Sequence, residues 1–110
     1  MRDFSDFVVS PRDSIRTAME RITKNRHRVV IVVDHGRVVG TVSDGDIRRA
    51  MLREVLALAP VRQIMNINCR TITATTPEKQ RDDLRRAHVT VLPVVNDRDE
   101  LIDIVLAFEA

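Results

Sequence analysis

The sequence predicts a mixed α/β (α+β) fold assembled from two tandem copies of a βαββα unit, related by a pseudo-two-fold axis. Three observations carry this. Runs of β-branched residues alternate with stretches of helical periodicity, the order run, helix, run, turn, run comes round twice, and a hydroxyl residue followed by proline recurs at Ser10-Pro11 and Thr76-Pro77. Such self-similarity describes units that bury their apolar faces against one another.

In the first copy Val8 and Val9 form an opening strand. Ser10-Pro11 then offers an N-cap hydroxyl and a proline at the first helical position, with Asp13 in the first turn. Ile15, Ala18, Met19 and Ile22 fall on one face of a helix that runs to about Thr23. The runs Val29–Val33 and Val38–Val42, joined by Asp34-His35-Gly36, read as a hairpin. A second helix starts at Ser43 or Asp44 and carries Ile47, Ala50 and Met51 on one side. Residues 53–59 continue that helix or form a linker, and Pro60 starts a short helical turn with Val61, Ile64 and Met65 as its apolar side.

The second copy repeats the order: a strand around Ile72, a helix from Pro77 to about Ala87, a run Val89–Val95, a turn at 96–99 and a strand Leu101–Leu106. We place repeat 1 at residues 1–58 and repeat 2 at residues 59–110. Pro11 and Pro77 stand 66 apart but Ile31 and Pro93 only 62, a difference of about one helical turn, so the second helix is expected to be shortened. Its face is thin as well, because Arg81, Arg85 and His88 replace apolar partners. The closing helix of repeat 2 is expected to be truncated at Ala110, which suggests part of a longer polypeptide.

Composition excludes several classes. The 44% hydrophobic residues are aliphatic, with no Trp or Tyr and 3 Phe, so platforms for stacking bases are lacking. The 18 Lys+Arg are balanced by 16 Asp+Glu in a mixed surface, not a basic stripe. Nucleic-acid binding is therefore not expected. Cys69 is the only cysteine, and no second Cys or His lies at metal-ligand spacing, which argues against disulfides and a metal site. The charged N-terminus and the lack of a long apolar run argue against secretion and membrane spanning, so a cytoplasmic setting is expected. No nucleophile, base or metal constellation for independent catalysis is present.

The segment Gly40-Thr41-Val42-Ser43-Asp44-Gly45-Asp46-Ile47-Arg48-Arg49 resembles the signature of CBS domains, the cystathionine β-synthase type of regulatory module. The pattern is a strand, Ser or Thr, two residues, Asp, then a helix, and Ser43 and Asp46 match it. The resemblance covers nearly the whole chain as a tandem pair, a Bateman module. The stretch from Val32 through Leu52, followed by Val61–Asn68, is similar to the N-terminal CBS pair of bacterial sugar-nucleotide nucleotidyltransferases, and sugar-phosphate isomerases carry a comparable pair.

The resemblance implies a ligand: AMP, ADP, ATP or S-adenosylmethionine. It implies that Asp46 accepts hydrogen bonds from ribose hydroxyls and that Ser43 presents a hydroxyl to ribose or phosphate, beside helix N-terminal amides that favour anions. Val8, Val9, Val29, Val30 and Val42 would line an adenine slot. His27-Arg28 resembles a phosphate-contacting pair in the γ subunit of AMP-activated protein kinase, so Arg28 is a candidate anion contact and His27 a weaker one. Ser43-x-x-Asp46 also reads as a capping box, and the two roles are compatible. In repeat 2 Leu106 takes the place of Ser43 and removes its hydroxyl, while Glu109 takes that of Asp46 and is a candidate contact to ribose hydroxyls, so one competent site per chain, or none, is expected. The implied partners are the nucleotide, a second copy in a homodimer and a covalently attached catalytic domain. The rival reading is a structural dimerisation module with a vestigial pocket.

Overall fold

A computed structural model describes residues 3–86 and 89–106. After a short 3-10 turn at Ser5–Phe7 come β1 (Val8–Val9), α1 (Ile15–Asn25), β2 (Val29–Asp34), β3 (Arg37–Ser43) and α2 (Asp44–Leu52). A second 3-10 turn at Val61–Gln63 leads to β4 (Ile72–Thr73), α3 (Glu78–Arg86), β5 (Val91–Val95) and β6 (Leu101–Leu106). Two three-stranded sheets result, in the orders β1-β2-β3 and β4-β5-β6. In each, the first pair is parallel and the second antiparallel. The fold class expected from the repeat is the one observed.

The internal symmetry extends to irregularities. Val30 pairs with Val42 and Leu92 with Val105, while the bulge between Val32 and Val33 recurs between Val94 and Val95. The helix start departs from expectation. Helix α1 begins at Ile15, where the Ser14 hydroxyl accepts from the Thr17 amide at 3.1 Å, so Ser14, not Ser10, is the N-cap. Ser10-Pro11 instead belongs to a preceding turn, in which the Ser10 amide donates to Asp13 Oδ2 at 2.8 Å and the Asp13 amide to the Ser10 carbonyl at 3.0 Å. The same ring recurs with Thr73 and Thr76, at 2.8 and 3.0 Å. Thr76-Pro77 is therefore equivalent to Asp13-Ser14, and the spacing between copies is 63 at the turn and 62 at β2 and β5. The expected one-turn deletion shrinks to one residue, and the second hairpin turn restores it.

Those turns differ in length for a local reason. His35 and Gly36 both have positive φ, 52° and 81°, and close a two-residue loop of the kind that matches strand twist. In repeat 2 the Asn96 side-chain oxygen accepts from the Arg98 and Glu100 amides, and Asp99 takes the left-handed conformation at φ 61°. This is a three-residue loop that uses an Asx turn instead of glycine.

Strands β2 and β5 are covered on both faces, which explains why they read as continuous apolar runs. The even residues of β2, Val30 and Val32, join Val9, Ile15, Ala18, Ile22, Val42, Ile47 and Val61 in the core beneath α1 and α2. Leu92 and Val94 of β5 join Ile72 and Leu84 beneath α3. The odd residues face the other sheet, where Ile31, Val91 and Ile104 form a central layer with Val29, Val33 and Val38 packed around it. Met19 and Met51, expected on the buried helix faces, are 42% and 38% exposed. The α3 face is thin, as expected, with Leu84 its one buried hydrophobic residue among those described.

One end of this layer is tied shut. The Val38 amide donates to the Asp99 carbonyl and the Leu101 amide to the Gly36 carbonyl, each at 2.9 Å, a reciprocal pair about the pseudo-two-fold axis. Beyond α2, Ile15 donates to the Ala59 carbonyl, Val61 to the Asp13 carbonyl, and Thr41 and Asn66 exchange backbone hydrogen bonds at 3.1 and 2.8 Å. The connection between the repeats is thereby sewn onto repeat 1. Gly40 permits this approach, since a Cβ there would stand 2.9 Å from the Asn66 carbonyl oxygen. Gly40→Val should destabilise the fold by roughly 1–3 kcal/mol in urea unfolding, with Gly40→Ala intermediate; a loss below about 0.5 kcal/mol would contradict this close approach.

Candidate functional site

At the end of the sheet layer opposite the tied turns, a cavity of about 750 Å3 opens between the repeats, within the usual range for small-molecule sites. Its first wall is the handover from β3 to α2. Ser43 has extended backbone, φ −104° and ψ 167°, and caps α2. Its hydroxyl accepts from the Asp46 amide at 3.1 Å and donates to Asp46 Oδ2 at 3.0 Å, while its own amide donates to the same oxygen at 2.9 Å. The capping box is thus formed, and it fixes the Asp46 carboxylate at the cavity wall. The second carboxylate oxygen, Oδ1, accepts from Arg49 Nη2 at 2.8 Å. The Arg49 side chain is 61% exposed and that of Asp46 only 18%.

Arg28 reaches the same cavity from the loop between α1 and β2. Its φ of 66° is a left-handed conformation that costs a non-glycine residue energy. The strain has a visible return, because the Arg28 carbonyl accepts from the Asp44 amide at 3.0 Å, satisfying one of the free amides of the α2 N-terminus. The neighbouring His27 ring is held elsewhere, with Nδ1 2.6 Å from the Asn25 carbonyl and the ring against Phe7. His27 is absent from the cavity lining; its carbonyl accepts from the Thr90 hydroxyl at 3.0 Å, a tie across the repeats.

The rest of the lining comes from the connection between the repeats, Asn66, Asn68, Cys69 and Arg70 ahead of β4, and from Val89, Thr90 and Val91 leading into β5. Burial pushes the Cys69 thiol up from its ordinary pKa, which keeps it protonated and weakly nucleophilic at neutral pH. Arg28, Arg48, Arg49 and Arg70 face Asp44 and Asp46 around one opening, an excess of cationic groups suited to an anion.

Of the residues singled out in the sequence, Arg28, Val29, Ser43 and Asp46 come together here. Val9, Val30 and Val42 do not: they are 3%, 0% and 0% exposed and belong to the core beneath α1 and α2. Val8 is likewise absent from the cavity lining. The apolar lining is instead Val29 with Val89 and Val91 of repeat 2, which sequence reasoning missed. Repeat spacing could have found Val91, which is the counterpart of Val29. Leu106 does pair with Val91 as Ser43 pairs with Val29, so the second position lacks the hydroxyl. Glu109 lies outside the described residues. Among the described residues no helix is long and apolar enough to cross a membrane. No cluster of three His, Cys, Asp or Glu suited to a metal ion occurs among them either.

Comparison with known proteins places this geometry. Residues 1–53 match the family model of the CBS domain. No curated protein matches the chain. Among solved structures, a CBS domain protein of Pyrobaculum aerophilum complexed with AMP superposes with a TM-score of 0.75 at 25% identity, covering 90% of this chain and 78% of that one. A protein of Methanocaldococcus jannaschii, described as an archaeal homologue of γ-AMPK, gives a TM-score of 0.78 at 26% identity; 90% of this chain matches 42% of that one. A protein of Vibrio cholerae assigned to acetoin utilisation gives 0.80 at 20% identity over 90% of this chain and 75% of that one, a likeness of fold alone.

Ser43→Ala should cost about 1 kcal/mol of stability, the usual loss for a missing N-cap, read from the denaturation midpoint. An unchanged midpoint would mean that the hydrogen bonds around Asp46 do not support α2.

Proposed function

We propose that this chain, whose residues 1–53 match the CBS domain model and whose fold is that of CBS domain pairs, is a regulatory module that binds an adenine nucleotide in the crevice beside Ser43 and Asp46. The observation that carries the reading is a single opening in which the Asp46 carboxylate, an apolar strip of Val29, Val89 and Val91, and four arginines converge. Those are the three chemistries of a nucleotide: a diol acceptor, a slot for a flat base, and cations for phosphate. The AMP complex of the Pyrobaculum relative supports the choice of ligand. Among the candidates, AMP, ADP and ATP suit the cationic rim better than S-adenosylmethionine, whose sulfonium the arginines repel. The chain is read as non-catalytic, acting in the cytoplasm by passing occupancy to an attached enzyme. The similarity of its signature segment to sugar-nucleotide nucleotidyltransferases makes that class the proposed recipient.

Isothermal calorimetry with AMP, ADP, ATP and S-adenosylmethionine tests the ligand directly. At least one nucleotide should bind with one site per chain, and Asp46→Asn, which keeps an acceptor for the cap, should weaken it roughly tenfold. Absence of binding at millimolar concentration by the folded protein would overturn the reading.

A second reading, a dimerisation module with an empty pocket, draws on a different observation. Leu52, Leu56 and Leu58 are 79%, 76% and 76% exposed on the end of α2 and the segment after it, an apolar face that a second copy would cover. Light scattering should give a dimer that Leu56→Asp with Leu58→Asp converts to a monomer. A monomeric wild type at high micromolar concentration would remove this surface from consideration.

A further inference from the structure

We infer that Arg49 is a specificity-determining latch that makes the site select phosphorylated ligands over the bare nucleoside. The inference rests on the nucleotide reading above and concerns which member of that class is retained. Asp46 has two oxygens, and neither is idle. Oδ2 is committed to the Ser43 amide and hydroxyl at 2.9 and 3.0 Å, contacts that hold the end of α2. A ribose diol therefore has to be received at Oδ1, and there Arg49 Nη2 already donates at 2.8 Å.

The latch is built to open. The Arg49 side chain is 61% exposed and sits one turn along the helix from Asp46, so its guanidinium can leave without disturbing the backbone. An exposed pair of this kind is weak, and a stronger anion can capture the arginine. The cavity supplies the place for that anion, because Arg28, Arg48 and Arg70 share its lining. A nucleotide thus opens its own ribose site: its phosphate draws Arg49 away while its hydroxyls take the vacated oxygen. A nucleoside brings no replacement for the lost ion pair and must compete with Arg49. Gly45 leaves room for the closed position, since a Cβ there would stand 3.2 Å from Arg49 Nη1.

Calorimetry with adenosine and AMP on the wild type, Arg49→Ala and Gly45→Ala separates the possibilities. Arg49→Ala should raise adenosine affinity about two- to fivefold and lower AMP affinity about tenfold, collapsing the preference for AMP. Gly45→Ala keeps the charge but crowds the closed pair, so adenosine should gain while AMP stays within about twofold. Equal changes for the two ligands in Arg49→Ala, or no change in either, would overturn the latch. A companion measurement needs no nucleotide. The Arg49 Nε–H resonance, assigned by its loss in Arg49→Lys, should move when inorganic pyrophosphate is added to the wild type. A resonance that stays fixed while AMP binds overturns the latch alone, whereas a moving resonance with no AMP binding overturns the nucleotide reading and leaves Arg49 only as a residue captured by free phosphate anions.

Discussion

The structure depends on strands that are buried on both faces. β2 and β5 each turn one set of side chains toward their own helices and the alternate set toward the other sheet, as Val30 and Ile31 do in repeat 1. A single repeat would leave Ile31, Val29 and Val33 in water, and burying a side chain of this size is worth about 1.5–3 kcal/mol. The second copy is therefore a requirement of the first, and the crevice exists because two such surfaces meet along only part of their length. The reciprocal hydrogen bonds of Val38 with Asp99 and Leu101 with Gly36 hold one end together. At the other end the strands hand over to α2 and to the start of β5, and the walls part.

That parting point is also where polar groups accumulate. Helix α2 begins there with free amides, and the capping box that satisfies part of them brings the Asp46 carboxylate to the cavity wall. The bland and the functional readings of Ser43-x-x-Asp46 are thus one arrangement, in which the cap positions the carboxylate for use. Arg28 shows the same double duty, its carbonyl bound to Asp44 and its side chain at the opening.

Much of the fold was legible in the sequence, because each hairpin advertises itself by turn residues between β-branched runs and because the order of elements recurs. The N-terminus of α1 was misread for a definable reason. Ser10-Pro11 and Thr76-Pro77 look alike, yet the turn that precedes each helix is closed by Asp13 in one copy and by Thr76 in the other, so the shared dipeptide occupies different registers. The candidate cavity was legible at Ser43, Asp46 and Arg28, whose polar side chains stand where helices and strands hand over to one another and so line an opening. The apolar lining was not, because a run such as Val29–Val33 carries no mark of which valines face the helices and which face the crevice. Only the position of the partner strand decides that, and the partner strand lies in the other repeat.

The crevice is closed unequally at its two ends. With the turn ends pinned by paired amides and the far ends joined by the Thr90–His27 hydrogen bond, the two sheets resemble jaws on a common pivot. A ligand seated at the mouth, under the proposed function, would act at the long arm of that pivot and bear on the tilt of one helical layer against the other.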